Sequence, residues 1–128
     1  MFSHIMIGSN DIPRSKKFYD ALLGVLGASP AEPDAKGRLR YIHDGGVLMI
    51  TSPIDGNPAT GANGGTIGFR VTGPEQANEW HKTGCENGGT AIEDPPGERG
   101  NHQRRLYLAY LRDPDGNKLC ALHLMPSG

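Results

Sequence analysis

The sequence has few of the residues that define several classes of protein. Its 128 residues include only two cysteines and one tryptophan, and 13 Lys and Arg against 14 Asp and Glu leave a net charge of −1. Two cysteines do not make a disulfide framework, and a nearly neutral chain does not indicate binding to nucleic acid or to a membrane surface. No run approaches the roughly 18 apolar residues of a membrane span, and residues 1–7 lack the basic segment of a signal peptide. We therefore expect a cytoplasmic protein.

Glycine and proline, by contrast, are abundant, with 19 and 10 residues. This composition is typical of many short strands joined by tight turns. A chain of this length can bury one core, so we expect a single domain. Within it, one order of elements, β-α-β-β-β, occurs twice. We assign module one to residues 1–52, a linker rich in proline and glycine to 53–63, and module two to 64–128.

The first half predicts a strand, a helix and a hairpin. Residues 2–8 are predicted as a strand, because Ile5 and Ile7 alternate with polar or longer side chains, as in a strand with one buried face. Asp11 is a suitable N-cap for a helix that ends at Gly24 or Gly27. The remaining predicted segments are a loop or edge strand at 29–37, a strand at 38–43, a turn at 44–46 and a strand at 47–51.

The second half repeats this order. Thr72 and Glu75 have the spacing of a capping box, which predicts a helix that starts there and runs to about Gly88. The other predicted segments are a strand at 66–71, a short strand at 90–93, a polar loop at 94–105, a strand at 106–112, a turn at 113–117 and a strand at 118–124.

Superposing the halves makes His4 equivalent to Thr66, and Met49 equivalent to Cys120. The face of the first strand that carries Ile5 is expected to lie under its helix. These four positions lie on the opposite face and are predicted to line a cleft between the modules. By the same alternation, Met6, Leu122 and Leu124 point to this face of their strands, and they would make the wall of the cleft apolar.

Four stretches of the chain together resemble the vicinal oxygen chelate superfamily, which includes glyoxalase I, extradiol dioxygenases and bleomycin-resistance proteins. The stretches are residues 4–7 with 11–23, the linker at 55–60, residues 63–69, and residues 109–119 with the core Arg-Asp-Pro-Asp-Gly-Asn-Lys. The resemblance implies an α+β fold of two tandem βαβββ modules, which form a cupped mixed sheet with helices on its outer face. It also implies a homodimer.

In metal-dependent members of that superfamily, a divalent cation is held at the four equivalent positions, mostly by His and Glu. His4 matches the first ligand, whereas Thr66 and Cys120 replace the expected His and Glu, and Met49 occupies the remaining position. A Zn, Ni, Mn or Fe site needs at least three well-matched donors. The sequence therefore predicts that the metal site has degenerated.

Further side chains are candidates for contact with a ligand. Arg70 is predicted to point to the same face of its strand as Thr66, and Tyr107 lies on a strand that flanks the predicted cleft. Cys120 is either a small apolar filler or a nucleophile. The candidate ligand-binding residues are His4, Met6, Met49, Thr66, Arg70, Tyr107, Cys120 and Leu122. A basic loop, with Arg99, His102, Arg104 and Arg105, either covers the pocket or is a solvated surface.

Three functions are compatible with these residues. The first is a glyoxalase/bleomycin-resistance-like protein that binds a small organic molecule in the cleft between its modules, without a metal. The second is a metal-dependent lyase or isomerase of the glyoxalase I type, or a dioxygenase-like enzyme, in which His4 acts with ligands such as His43 or His102. The third is a dimeric scaffold that binds no ligand.

Overall fold

A computed structural model describes residues 1–126. It contains two helices and eight strands. In chain order they are β1 (Ile5–Gly8), α1 (Ile12–Gly24), β2 (Leu39–His43), β3 (Gly46–Thr51), β4 (Ile67–Arg70), α2 (Pro74–Glu86), β5 (Thr90–Ala91), β6 (Gly97–Gly100), β7 (Arg105–Arg112) and β8 (Lys118–Leu124).

The first three strands form one mixed sheet, sheet A, in the order β1-β3-β2. β1 runs parallel to β3, with Met6 opposite Met49, and β2 is antiparallel to β3. The predicted hairpin turn lies between β2 and β3, where Asp44 and Gly45 have φ angles of 49° and 79°. Such left-handed conformations favour Gly, Asn and Asp, which explains the residues found there.

The strands of the second half form sheet B, in the order β4-β8-β7-β5. β4 runs parallel to β8, and β8 is antiparallel to β7. β6 also pairs with β7, next to Arg105–Leu108, while β5 pairs with its other end, Leu111 and Arg112. β5 and β6 therefore follow each other along one edge of β7, as two parts of an interrupted strand.

Two predictions for the second half of the chain were wrong, namely the loop at 94–105 and the capping box of the helix. The polar segment 94–105 was predicted as a loop but contains β6, because pairing with β7 and the ion pair between Glu98 and Arg105 stabilise it. Pro95 and Pro96 interrupt the strand, since proline cannot donate to a ladder. The predicted capping box is also wrong: Gly73 is the N-cap of α2, and the backbone N–H of Thr72 donates to the side chain of Gln76.

In the first module, residues 29–37 form no strand, and β1 begins at Ile5 rather than at residue 2. Pro30 and Pro33 remove backbone donors from this segment, and the carboxylate of Asp20 holds it by accepting from the N–H of Ala31. The prediction of Asp11 as the N-cap of α1 is confirmed, because its side chain accepts from the N–H of Arg14. The predicted α+β class and mixed strand pairing are confirmed.

Both helices and one face of each sheet share a single hydrophobic core. Phe18 and Leu22 of α1 approach Gly84 of α2 and Leu111 of β7. A Cβ on Gly84 would lie 2.6 Å from Leu111 and 2.9 Å from Leu22, so glycine lets the two helices and sheet B approach closely. Among residues 1–126, no helix is both long and apolar enough to cross a membrane.

A buried polar cluster joins the turn at 113–117 to α1. Asp113 is only 4 % exposed and accepts a hydrogen bond of 2.5 Å from the hydroxyl of Tyr19. Its other oxygen accepts from the backbone N–H groups of Asp115 and Asn117, each at 2.9 Å. Asp115 in turn accepts from the Arg14 guanidinium at 2.7 Å. The last turn of module two is therefore attached to the first helix of module one.

We expect the Asp113→Ala substitution to lower the free energy of unfolding by about 2–4 kcal/mol, because it leaves several buried donors without an acceptor. Urea denaturation followed by circular dichroism measures the change. Asp94→Ala is the matched control, since Asp94 is exposed and its side chain has no hydrogen-bond partner within residues 1–126. A loss in Asp113→Ala no greater than in the control would contradict this assignment.

Candidate functional site

A cavity of about 750 Å³ lies where the two modules meet. The edge strands β1 and β4 both contribute to its wall, together with the segment after α1 and the β2–β3 hairpin. Residues 1–4 also line it. A cavity of this size at a junction between structural units is the usual location of a small-molecule site.

The buried part of the cavity wall is apolar. Leu23, Leu48 and Val71 are nearly inaccessible, and Phe69 packs against Trp80 with their ring centroids 6.2 Å apart. Tyr41 is also buried, and its hydroxyl donates to Asp20 at 2.7 Å. Because this hydroxyl already has a partner, Tyr41 contributes mainly ring surface to the cavity. The wall therefore offers a desolvated apolar surface to a ligand.

Several polar residues of the wall reach solvent and form a polar rim. They include His4, His43, Arg70 and Asp44, which are exposed, and His123, which is partly exposed. His4 has a hydrogen bond of 2.8 Å between its Nδ1 and the hydroxyl of Ser3. A polar rim over an apolar floor is an arrangement that can orient an amphipathic ligand.

The structure places the predicted site residues in two groups. His4 and Arg70 line the cavity. Met6 and Met49 face the other way from sheet A, opposite each other on β1 and β3. The remaining four residues, Thr66, Tyr107, Cys120 and Leu122, lie outside the cavity wall, and they remain predictions as ligand contacts.

Tyr107 and Cys120 lie on opposite faces of sheet B. Tyr107 packs on the shared core, and its hydroxyl donates to Asn78 of α2 at 2.7 Å. Cys120 is paired with Tyr110 on the other face. Because burial raises the pKa of the Cys120 thiol, the reactive thiolate is disfavoured. A Cβ at Gly68 would lie 3.2 Å from its sulfur, so Cys120 fills space beside a glycine, in the manner of a small apolar residue.

The residues present do not fit the divalent metal site of the superfamily. Within residues 1–126, no group of three or more His, Cys, Asp or Glu side chains is arranged to hold a metal ion. His4 and Met49 belong to module one, whereas Thr66 and Cys120 belong to module two and include no carboxylate or imidazole. Neutral hydroxyl and thioether groups are poor replacements for the missing donors.

Sequence reasoning missed most of the cavity wall. His123 was not assigned to the site, His43 was named only as a possible metal ligand beside His4, and apolar wall residues such as Leu26 and Phe69 were not assigned to it. The alternation pattern places Phe69 under a helix correctly, but it does not reveal that the packing leaves a cavity there. No local pattern in the sequence gives the distance between the two edge strands, so it could not locate the cavity.

The basic loop belongs to a separate part of the surface. Arg99, His102 and Arg105 surround a second, more open hollow at the tip of the β6–β7 hairpin. Arg105 is paired with Glu98 at 2.6 Å, and Arg99 donates to the carbonyl oxygen of Pro95. None of these residues contributes to the 750 Å³ cavity, so the loop does not cover it.

The chain belongs to the glyoxalase/bleomycin resistance protein/dioxygenase superfamily, because the model of that family matches residues 1–121. It is 55 % identical to a glyoxalase/bleomycin resistance protein from Albidiferax ferrireducens, over 96 % of this chain and 98 % of that one, with a TM-score of 0.91. A search of curated proteins found no match.

More distant solved structures share the fold. A glyoxalase/bleomycin resistance protein/dioxygenase family enzyme from Burkholderia phytofirmans has 17 % identity and a TM-score of 0.71, with coverage of 96 % of this chain and 98 % of that one. A glyoxalase-related enzyme from Fulvimarina pelagi has 16 % identity and a TM-score of 0.70, with coverage of 100 % and 99 %.

The carboxylate of Asp20 holds the cavity residue Tyr41 in place and therefore makes the site sensitive to acid. Partial burial works to raise the pKa of Asp20, but hydrogen bonds from Lys16 and Tyr41 outweigh it, so the pKa lies below its usual 3.8. A carboxyl group whose pKa is lowered by folding stabilises the protein above its unfolded pKa, and this contribution is lost as the pH falls.

We expect the free energy of unfolding of Asp20→Asn to depend less steeply on pH than that of the wild type, between about pH 5 and pH 3. Urea denaturation at several pH values measures the slope. Asp94→Asn serves as the control and should keep the wild-type slope. Equal slopes in wild type and Asp20→Asn would contradict the assignment.

Proposed function

We propose that this protein binds a small, partly hydrophobic organic molecule in the cavity between its two modules. The observation that carries the proposal is the 750 Å³ cavity, which has an apolar floor and a polar rim. Ligand pockets are commonly about 300–1,000 Å³ in volume and have this division between apolar walls and a few polar groups.

The chemistry of the site supports binding rather than a catalysed reaction. The wall contains no cysteine, and His4, which would be the first ligand of a superfamily metal site, has no second imidazole or carboxylate arranged with it into a metal-binding group within residues 1–126. The buried thiol of Cys120 lies outside the cavity. The proposal therefore assigns no bond-making step to the cavity residues.

Filling the cavity tests the proposal. N-phenyl-1-naphthylamine, a neutral dye that fluoresces in apolar surroundings, is titrated against the wild type and against Leu26→Trp. Leu26 lies on the wall and is half-buried, so the larger indole should occupy part of the cavity. We expect a saturable fluorescence rise in the wild type and a Kd increased about tenfold or more in the variant, which corresponds to about 1.4 kcal/mol.

Leu124→Trp is the matched control for this titration. Leu124 is 61 % exposed and lies outside the cavity wall, so this variant should bind the dye as the wild type does. Thermal unfolding monitored by circular dichroism establishes that both variants are folded. The proposal fails if the wild type does not bind the dye, or if both tryptophan variants bind it equally well.

We also propose that the protein is a homodimer. The sheet faces that point away from the core expose large apolar side chains: Met6 is 40 % exposed, Ile42 57 % and Leu124 61 %. Apolar surface that a sheet leaves exposed often marks a protein–protein contact. A second copy of the chain that covers these faces would remove them from water.

We expect wild-type protein to have the mass of a dimer in size-exclusion chromatography with light scattering, and Ile42→Lys to shift the population towards monomer. A lysine at Ile42 would place a charge in the contact, which is unfavourable without a partner. Ile54→Lys is the control, because Ile54 is fully exposed but lies in the linker. A monomeric wild type, or equal dissociation of both variants, would contradict the proposed interface.

A further inference from the structure

The ionisable side chains of the cavity wall are mostly basic. They are His4, His43, His123 and Arg70, and Asp44 is the one carboxylate among the described residues of the wall. Each imidazole can donate a hydrogen bond, and the guanidinium of Arg70 is a cation with several N–H donors. The wall therefore favours a ligand that accepts hydrogen bonds and carries negative charge.

Arg70 is the permanent cation of this group, and its guanidinium makes no hydrogen bond or ion pair within residues 1–126. Other arginines are engaged: Arg14 pairs with Asp115, Arg38 with Asp34, and Arg105 with Glu98. A guanidinium carries five N–H donors in a planar fork that matches the geometry of a carboxylate. Arg70 therefore brings a complete set of donors to the cavity rim.

The backbone next to Arg70 offers donors at the same place. β4 is an edge strand whose single neighbour is β8, and the N–H of Val71 donates to Leu122 of that strand. In a parallel pair the backbone groups of alternate residues point to the same side. The N–H groups of Gly68 and Arg70 therefore point away from β8, towards the open edge of the sheet. Gly68 has no side chain to cover this edge, and both residues line the cavity.

We infer that the ligand of this cavity is an organic acid, with a carboxylate or sulfonate bound at Arg70 and an apolar body on the floor formed by Leu23, Leu48 and Phe69. This inference rests on the proposed binding function and adds the chemical class of the ligand. The separation of the site into a basic rim and an apolar floor is what such a molecule requires.

Two dyes of nearly the same shape distinguish a site for organic acids from a site that binds any apolar molecule of this size. 8-Anilinonaphthalene-1-sulfonate carries an acid group that N-phenyl-1-naphthylamine lacks, while the aromatic body is shared. We expect the wild type to bind the sulfonate about fivefold more tightly than the neutral dye at low ionic strength, as one exposed charge–charge contact can provide. Added sodium chloride should reduce this ratio, because salt screens exposed charges.

The decisive variant is Arg70→Gln, which removes the charge and keeps a polar side chain. We expect it to lose the preference for the sulfonate, so that the ratio of the two Kd values approaches one. Arg40→Gln is the matched control. Arg40 is also exposed and makes no side-chain hydrogen bond or ion pair within residues 1–126, but it lies opposite Met49 on the face of sheet A that points away from the cavity.

The outcomes for the two proposals are distinguishable. If the neutral dye binds but the sulfonate has no advantage, or if its advantage persists in Arg70→Gln or disappears equally in Arg40→Gln, the organic-acid inference is wrong and the binding function stands. If neither dye binds the wild type, both are wrong. Thermal unfolding monitored by circular dichroism establishes that Arg70→Gln is folded.

Discussion

The buried carboxylate of Asp113 is the contact on which the arrangement of the two modules depends. It accepts from Tyr19 of α1 and from two backbone N–H groups of its own turn, and it is almost inaccessible to water. A buried charge is tolerated only when its lone pairs are satisfied, so the turn and the helix must meet in one orientation. The linker reinforces this contact, because a Cβ on Gly61 would lie 2.5 Å from the carbonyl oxygen of Gly116.

The orientation of the turn relative to α1 determines where the core and the cavity lie. Both helices and the inner faces of both sheets pack together on the side of the Asp113 contact. The edge strands β1 and β4 both border the cavity, and sheets A and B remain separate. The apolar residues of the inner faces then form the floor of the cavity, while the polar residues at the strand ends form its rim. The same packing turns Met6, Met49 and Cys120 away from this junction.

Much of the secondary structure could be predicted from local patterns. The last strand was predicted with its observed bounds, Lys118–Leu124, because alternation and the preceding Pro-Gly turn are both local signals. β6 was missed because its residues are polar and its stability comes from β7 and from the Glu98–Arg105 pair. Of the eight predicted ligand contacts, His4 and Arg70 lie on the cavity, whereas His123 was missed and His43 had been named only as a possible metal ligand. Their position depends on which strand ends approach across the two sheets, and periodicity within one strand carries no information about that distance.

The sequence by itself determined the α+β class and the superfamily. These properties depend on residue type, spacing and strand phase, all of which are local in the chain. Only the tertiary structure decided that the cavity lies on the inner side of the edge strands, with Arg70 and His4 on its rim and Cys120 outside it. The reason is that the position of a cavity depends on how two independently formed sheets pack around α1 and the Asp113 turn, and this packing joins residues about 100 positions apart.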